Sequence, residues 1–163
     1  QEGTYRLPEA QLDRFMFKVV IDYPNLVDEC EIIRREHEAI YGDKTIDVQT
    51  VVQKADIDNV KSIVRSVLVE QNIIEYIARI VQETREHPFL YLGASPRASL
   101  AILNASKGFA ALHGRDFVTP DDVKDSALAV LQHRIIVAPE KEMEGVKTED
   151  IVKQIIDALE IPR

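Results

Sequence analysis

Apolar positions recur at helical spacing along most of this chain, and two stretches depart from it. Leu7 to Phe15, LPEAQLDRF, opens on a proline suited to a first helical turn and continues in good helix formers, so a short helix is expected there. Phe15 to Ile21 is apolar throughout except for Lys18. Bounded by Asp22 and Pro24, it has the pattern of a strand buried on both faces in a parallel sheet. Such a strand needs partners, and nothing else in the chain offers them. After Asn25 as N-cap, Leu26, Cys30, Ile33 and His37 mark a helix running to Gly42, with Cys30 on its apolar side as a core residue. Residues 43–54 alternate weakly and read as an extended connector or short hairpin.

Beyond it, Val60, Val64, Val67 and Leu68 restore a helical period in a β-branched segment, and a second helix from Gln71 places Ile74, Ile77, Val81 and Thr84 on one face. His87 to Gly93, HPFLYLG, reads as an apolar loop. Ser95 and Pro96 then start a helix that ends at Gly114 and is rich in Ala, Ser and Gly, as closely packed bundle helices are. Thr119, Pro120 and Asp122 begin another, with Val123, Ala127, Val130 and Leu131 as its buried stripe. Ile135 to Ala138 suits a short strand or arm, Glu140 to Gly145 a charged loop, and Thr148 the cap of a last helix.

Composition narrows the function. The 163 residues carry a formal net charge of −8 and no cluster of the 20 Lys and Arg, which disfavours contact with a nucleic-acid backbone. One cysteine, Cys30, allows no internal disulfide and suits a reducing, cytoplasmic setting. No apolar run reaches the length of a membrane span. The chain begins QEGTYRL without an initiator methionine and is expected to belong to something longer.

Chemistry is sparse. None of the six glycines is followed by lysine, so a phosphate loop is missing, and the four histidines lack metal-ligand spacing. The acidic pairs Asp121/Asp122 and Glu149/Asp150 fall in first helical turns, where the dipole accounts for them. Two arginines remain. Arg97 lies in the first turn of the helix at Pro96, an end already electropositive, and a cation added there makes an anion site suited to phosphate. The alternative is that Arg97 pairs with a surface carboxylate. Arg14 closes the short helix before the apolar run.

QEGTYRLPEAQLDRF with the apolar run ending in YP, then TREHP, LGASPRASLAIL, ALHGRDFVTPDDV and VLQHRIIV, together resemble the C-terminal part of a MoxR-family AAA+ ATPase over nearly the whole chain. The resemblance implies a mainly α fold: a helical AAA+ lid bundle over 26–163, preceded in 1–25 by a remnant, helix plus strand, of the α/β nucleotide-binding core. It implies Arg14 as an arginine finger acting in trans, and Arg97 as the sensor 2 residue reading the ATP γ-phosphate of its own subunit, with Ser95 and Pro96 beside it. It implies ATP and Mg²⁺ as cofactors of the intact parent, with none bound by this part and no metal site within it. The partners implied are neighbouring subunits of a homo-oligomeric ring such as a hexamer, and clients including von Willebrand factor A-domain proteins, with no nucleic acid. Arg6 stands where family members commonly have proline, which touches neither arginine. Three other readings stay open: a magnesium-chelatase-type subunit, a helical adaptor that never meets nucleotide, and a helix-turn-helix protein, which the negative charge disfavours. Without a phosphate loop and magnesium ligands, the chain by itself is expected to hydrolyse nothing.

Overall fold

A computed structural model of the chain describes residues 7–40 and 49–162. The chain divides into two compact units, Gln1–Lys18 with Asn59–Arg163, and Val19–Asp58.

In the smaller unit, α2 (Leu26–Ile40) follows the short α1 (Glu9–Leu12) of the larger one. Asn25 caps α2 as expected, its Oδ1 accepting from the amides of Val27 and Asp28 at 2.9 and 3.0 Å. Cys30 is exposed, not a core residue as its spacing suggests, and among the described side chains of α2 none is buried. The expected stop at Gly42 and most of the connector lie outside the described residues, and 49–53 are irregular.

The larger unit is a helical bundle built from the end of α3 (Lys54–Ser66), α4 (Gln71–Glu86), α5 (Pro96–Leu112), α6 (Pro120–Leu131), α7 (Pro139–Met143) and α8 (Thr148–Ala158). A two-stranded antiparallel ribbon joins β1 (Leu90–Leu92) to β2 (Ile136–Val137), pairing Leu90 with Val137. Its first strand lies where the sequence suggests a loop, and α7 occupies part of the expected charged loop.

Packing follows side-chain size. From α5, Ala98, Ala105, Ser106 and Ala110 are buried, and α6 contributes Val123, Ser126, Ala127, Val130 and Leu131. With so little side chain between them the two backbones approach closely, and the hydroxyls of Ser106 and Ser126 meet at 3.1 Å. Each also has a carbonyl of its own helix in reach, Ile102 at 2.8 Å and Val123 at 3.0 Å, so one proton bridges the two hydroxyls while the other goes to a carbonyl, and neither is left unsatisfied. Ile80, Ile102, Leu131 and Ile151 are fully enclosed, each contributing about 1.5–3 kcal/mol relative to exposure. The buried stripe of α4 runs through Ile73, Tyr76, Ile77, Ile80, Val81 and Thr84; Ile74, expected inside, is exposed.

The T-P-D-D start of α6 is more than a cap. Asp122, only 1% exposed, accepts from the Thr119 amide and hydroxyl at 2.8 and 2.9 Å and takes both arms of the Arg115 guanidinium at 2.7 Å. Burial is the largest single influence on this carboxyl and opposes ionisation. The Arg115 fork, with the Thr119 N–H and hydroxyl, outweighs it and brings the pKa from 3.8 to about 2. A carboxyl more acidic when folded stabilises above its unfolded pKa and loses that contribution as pH falls through the folded one. Stability on the order of 2 kcal/mol is therefore expected to disappear between about pH 4 and pH 2. Urea midpoints across that window check it: the fall should be shallower in Asp122→Asn, and parallel curves would refute the assignment.

The expected core remnant carries its helix, α1, but no strand. Residues 17–21 are extended and unpaired into any sheet, with Val19 and Ile21 largely exposed. A run that is apolar on both faces needs a neighbour on each edge, and the described residues provide none. Among the described residues no helix is long and apolar enough to cross a membrane.

Candidate functional site

The site begins where β1 turns into α5. Gly93 approaches α4 so closely that an added Cβ would lie 2.6 Å from Arg85 Cα and 2.6 Å from the Thr84 carbonyl oxygen. The next peptide is gripped at both ends: the Ala94 amide donates to Thr84 Oγ1 at 2.9 Å, and its carbonyl accepts from Arg85 Nε at 2.8 Å. TREHP and LGASPR, two separate motifs in the sequence, thus form one joint. Gly93→Ala is expected to cost about 1–3 kcal/mol, because backbone on both sides must yield. Chemical denaturation measures it, and an unchanged midpoint would contradict the close approach.

Ser95 then caps α5 as its sequence predicts, Oγ accepting from the Arg97 amide at 3.2 Å, with Pro96 in the first turn. The same hydroxyl donates to Asp13 Oδ2 at 2.8 Å. Asp13, the residue before Arg14 in LDRF, thereby sets a carboxylate beside the electropositive start of α5, where negative charge is favoured. Arg97 Nη1 lies 3.8 Å from the same oxygen with its side chain 55% exposed, a long pairing open to solvent. The cation that the helix dipole disfavours is offset in this way without being sequestered.

Arg14 is exposed, and its side chain has no hydrogen bond or ion pair among the described residues. It lines a depression of about 640 Å³ together with Arg97, Asn104, Leu100, Asp13 and Arg134. The two arginines singled out from sequence, 83 positions apart, therefore face one space. Three guanidinium groups surround a single carboxylate there, a local cationic excess in a chain of net charge −8. Such a place can hold an oxyanion, and the planar forks of Arg14 and Arg97 suit the oxygens of a phosphate. Among the described residues no group of three His, Cys, Asp or Glu side chains could hold a metal ion.

Neither Asp13 nor Arg134 stands out in the sequence. Arg134 is buried, its side chain 2% exposed, and it pairs with Asp13 at 3.2 Å. Its neighbours share the task. His133 Nε2 sits 3.0 Å from the Phe15 carbonyl, Gln132 Nε2 donates to the Lys18 carbonyl at 2.6 Å, and the Lys18 amide donates to the Ala129 carbonyl at 3.1 Å. Burial is the largest influence on His133 and pushes its pKa down, opposed next by the Phe15 carbonyl, to which Nε2 donates, with Arg134 and Lys18 adding to the fall and Asp13 resisting it. The LDRF segment is strapped to the end of α6 by three consecutive side chains. The available signal was QHR itself, three polar hydrogen-bonding residues placed directly before the apolar run Ile135 to Val137.

Comparison with known proteins follows the same joint. Residues 82–155 match the AAA lid domain family. Over 161 residues the chain is 41% identical to YeaC of Bacillus subtilis (strain 168), covering 99% of this chain and 49% of that protein. It is 31% identical over 171 residues to the chaperone MoxR1 of Mycobacterium tuberculosis, covering 99% and 44%. A magnesium-chelatase subunit ChlI homolog of Methanocaldococcus jannaschii matches at 29% over 143 residues, covering 83% and 36%. The crystal structure of a candidate ATPase from Cytophaga hutchinsonii superimposes with a TM-score of 0.86 at 34% identity, over all of this chain and 51% of that one. The chain spans about half the length of the curated relatives it matches.

Proposed function

We infer that this chain, a relative of MoxR-type AAA+ ATPases with an AAA lid domain at residues 82–155, is the C-terminal part of an ATP-driven, chaperone-like machine whose helical lid senses a bound nucleotide. In this reading residues 1–25 complete the nucleotide-binding core and 26–163 are the lid. The observation that carries it is the single depression shared by Arg14 and Arg97, with Arg14 unpartnered among the described residues.

ATP with Mg²⁺ would supply the γ-phosphoryl group, whose transfer spreads charge over its oxygens and leaves the protein chiefly positioning and charge neutralisation to perform. Arg14, as the arginine finger, would present two donors to those oxygens. Arg97 would supply a third and fourth, with Ser95 and Pro96 fixing the helix start that aims it. Loss of the γ-phosphate would remove the anion both guanidinium groups face and release the lid, the differential contact that a conformational switch requires.

The family resemblance implies separate nucleotides, the subunit's own for Arg97 and the neighbour's for Arg14. Their common depression instead favours one nucleotide for both, at the interface with a neighbouring subunit of a ring. Rings mixing Arg14→Ala subunits with subunits disabled in their own phosphate loop should regain partial ATPase activity if Arg14 acts in trans. The same rescue for Arg97→Ala would place both on the neighbour's nucleotide, and no rescue would return Arg97 to its own. Near-wild-type turnover by both variants unmixed would end the proposal. Client proteins, von Willebrand factor A-domain partners among them, and a cytoplasmic location belong to the same reading. The magnesium-chelatase alternative draws on a 29% identity over 83% of the chain.

A further inference from the structure

Arg134 lines the cationic depression, yet nothing about it is free to meet a ligand. A guanidinium has five N–H donors, and all five are engaged. Nε donates to Asp13 Oδ1 at 3.2 Å; Nη1 donates to the Met16 carbonyl at 3.1 Å and to the Val130 carbonyl; Nη2 donates to the Asp13 carbonyl at 3.1 Å and to the Phe15 carbonyl. Three of these acceptors are main-chain oxygens of residues 13, 15 and 16, which flank Arg14 on both sides. The fourth is the Asp13 carboxylate, which is also hydrogen-bonded to Ser95 at the start of α5. The last, Val130, belongs to the core of α6.

We propose that Arg134 is a positioning residue that fixes the backbone around Arg14 and, through Asp13 and Ser95, sets Arg14 and Arg97 at a constant spacing, so that the two present a rigid pair to the phosphate. The part concerning phosphate rests on the function proposed above; the fixation of residues 13–16 does not. Among the described residues the other hydrogen bonds tying residues 13–18 to the bundle are single ones, from Ser95, His133 and Gln132 and between Lys18 and Ala129. Helix α1 is a single turn with no buried residue, and the side chains of Phe15 and Met16 are exposed. Without the guanidinium, Arg14 would sit on a mobile strap, and alignment of a charge in a transition state tolerates little displacement. Lysine cannot substitute, because a point charge with three donors cannot reach five acceptors lying around a planar fork.

Two measurements on Arg134→Lys test this. In the 163-residue chain, amide hydrogen exchange at Phe15 and Lys18 should quicken roughly tenfold or more, as loss of charge-assisted hydrogen bonds predicts for local opening, while Ile80 and Ile102 amides keep their protection. In the full-length protein, kcat should fall towards that of Arg14→Ala with the KM for ATP nearly unchanged, with no further loss in the Arg14→Ala background and the same rescue in mixed rings. Unchanged exchange at Phe15 and Lys18, or additive losses in the double variant, would overturn the inference. Should Arg134→Lys not fold, Asp13→Asn keeps the shape while removing the charge and one of the two acceptor oxygens that Arg134 and Ser95 use. It should give the same pattern more weakly, and exchange and kinetics both at wild-type level would be fatal to the proposal. Faster exchange combined with full activity of Arg14→Ala would leave the fixation standing and remove the nucleotide role. Inactive Arg14→Ala with unaltered Arg134→Lys would do the reverse.

Discussion

Arg14→Ala in the full-length protein is expected, on the function proposed above, to lower kcat for ATP hydrolysis about 10³-fold, the lower end of what an arginine finger contributes to phosphoryl transfer. The effect should fall on kcat and on kcat/KM alike, because a contact made chiefly as charge develops on the transferring group adds little to ground-state affinity. Arg14→Lys should recover only a small part of the loss, since a point charge does not reproduce a planar fork. Folding offers no competing explanation: the Arg14 side chain is exposed and touches no hydrogen-bond or ion-pair partner among the described residues, so the variant should unfold within about 0.5 kcal/mol of wild type. Arg97→Ala should behave differently in one respect. Its 3.8 Å pairing with Asp13 would be lost, a solvent-exposed contact of about 0–1 kcal/mol, so any large loss of turnover would again be chemical. Steady-state ATPase assays beside thermal unfolding of the same samples decide the matter. Turnover within a fewfold of wild type for Arg14→Ala would remove the finger assignment.

The largest effect on stability is expected at Asp122. Replacing it by alanine removes four hydrogen bonds, opens the first turn of α6 and deprives Arg115 of its fork partner. Breaking a buried pair by deleting one partner costs roughly 3–5 kcal/mol, and because Arg115 retains 27% side-chain exposure the lower figure is expected. In a chain of this size that corresponds to a fall in Tm of roughly 10 °C. Asp121→Asn, one position away with its side chain 84% exposed, should shift stability by no more than about 0.5 kcal/mol. Calorimetry of the two variants side by side gives the answer, and equal midpoints would mean that the Arg115–Asp122 pairing is dispensable.

What the sequence made legible was local. Caps at Asn25 and Ser95 announce their helices because a side chain and an amide two or three residues on are enough to form them, and α6 is announced by Asp122 reaching back to the Thr119 amide. The small residues of α5 announced a close neighbour, found in α6. Arg97 stood out because its charge opposes the field at its own helix end. Failures came where the deciding partner lies far along the chain. Asp13 and Arg134 are 121 positions apart, and no periodicity links them. Ile73 and Ile74 are adjacent and equally apolar, so a stripe through either fits the spacing, and only packing chose Ile73. β1 has three residues and no alternation, too little to distinguish it from a loop until β2 pairs with it. The run from Phe15 to Ile21 carries the right composition for a strand, and composition alone makes no ladder.

One consequence follows from the grip on the Ala94 peptide. Because Thr84 and Arg85 hold its amide and its carbonyl, and Gly93 leaves no clearance against the same turn of α4, the base of α5 has no independent hinge. Any tilt imposed at Arg97 must be transmitted to α4, whose opposite end lies roughly 20 Å away at Gln71. A displacement of an ångström at Arg97 would thus be carried by a stiff crank rather than absorbed in a loop, and would emerge as motion at the far side of the bundle.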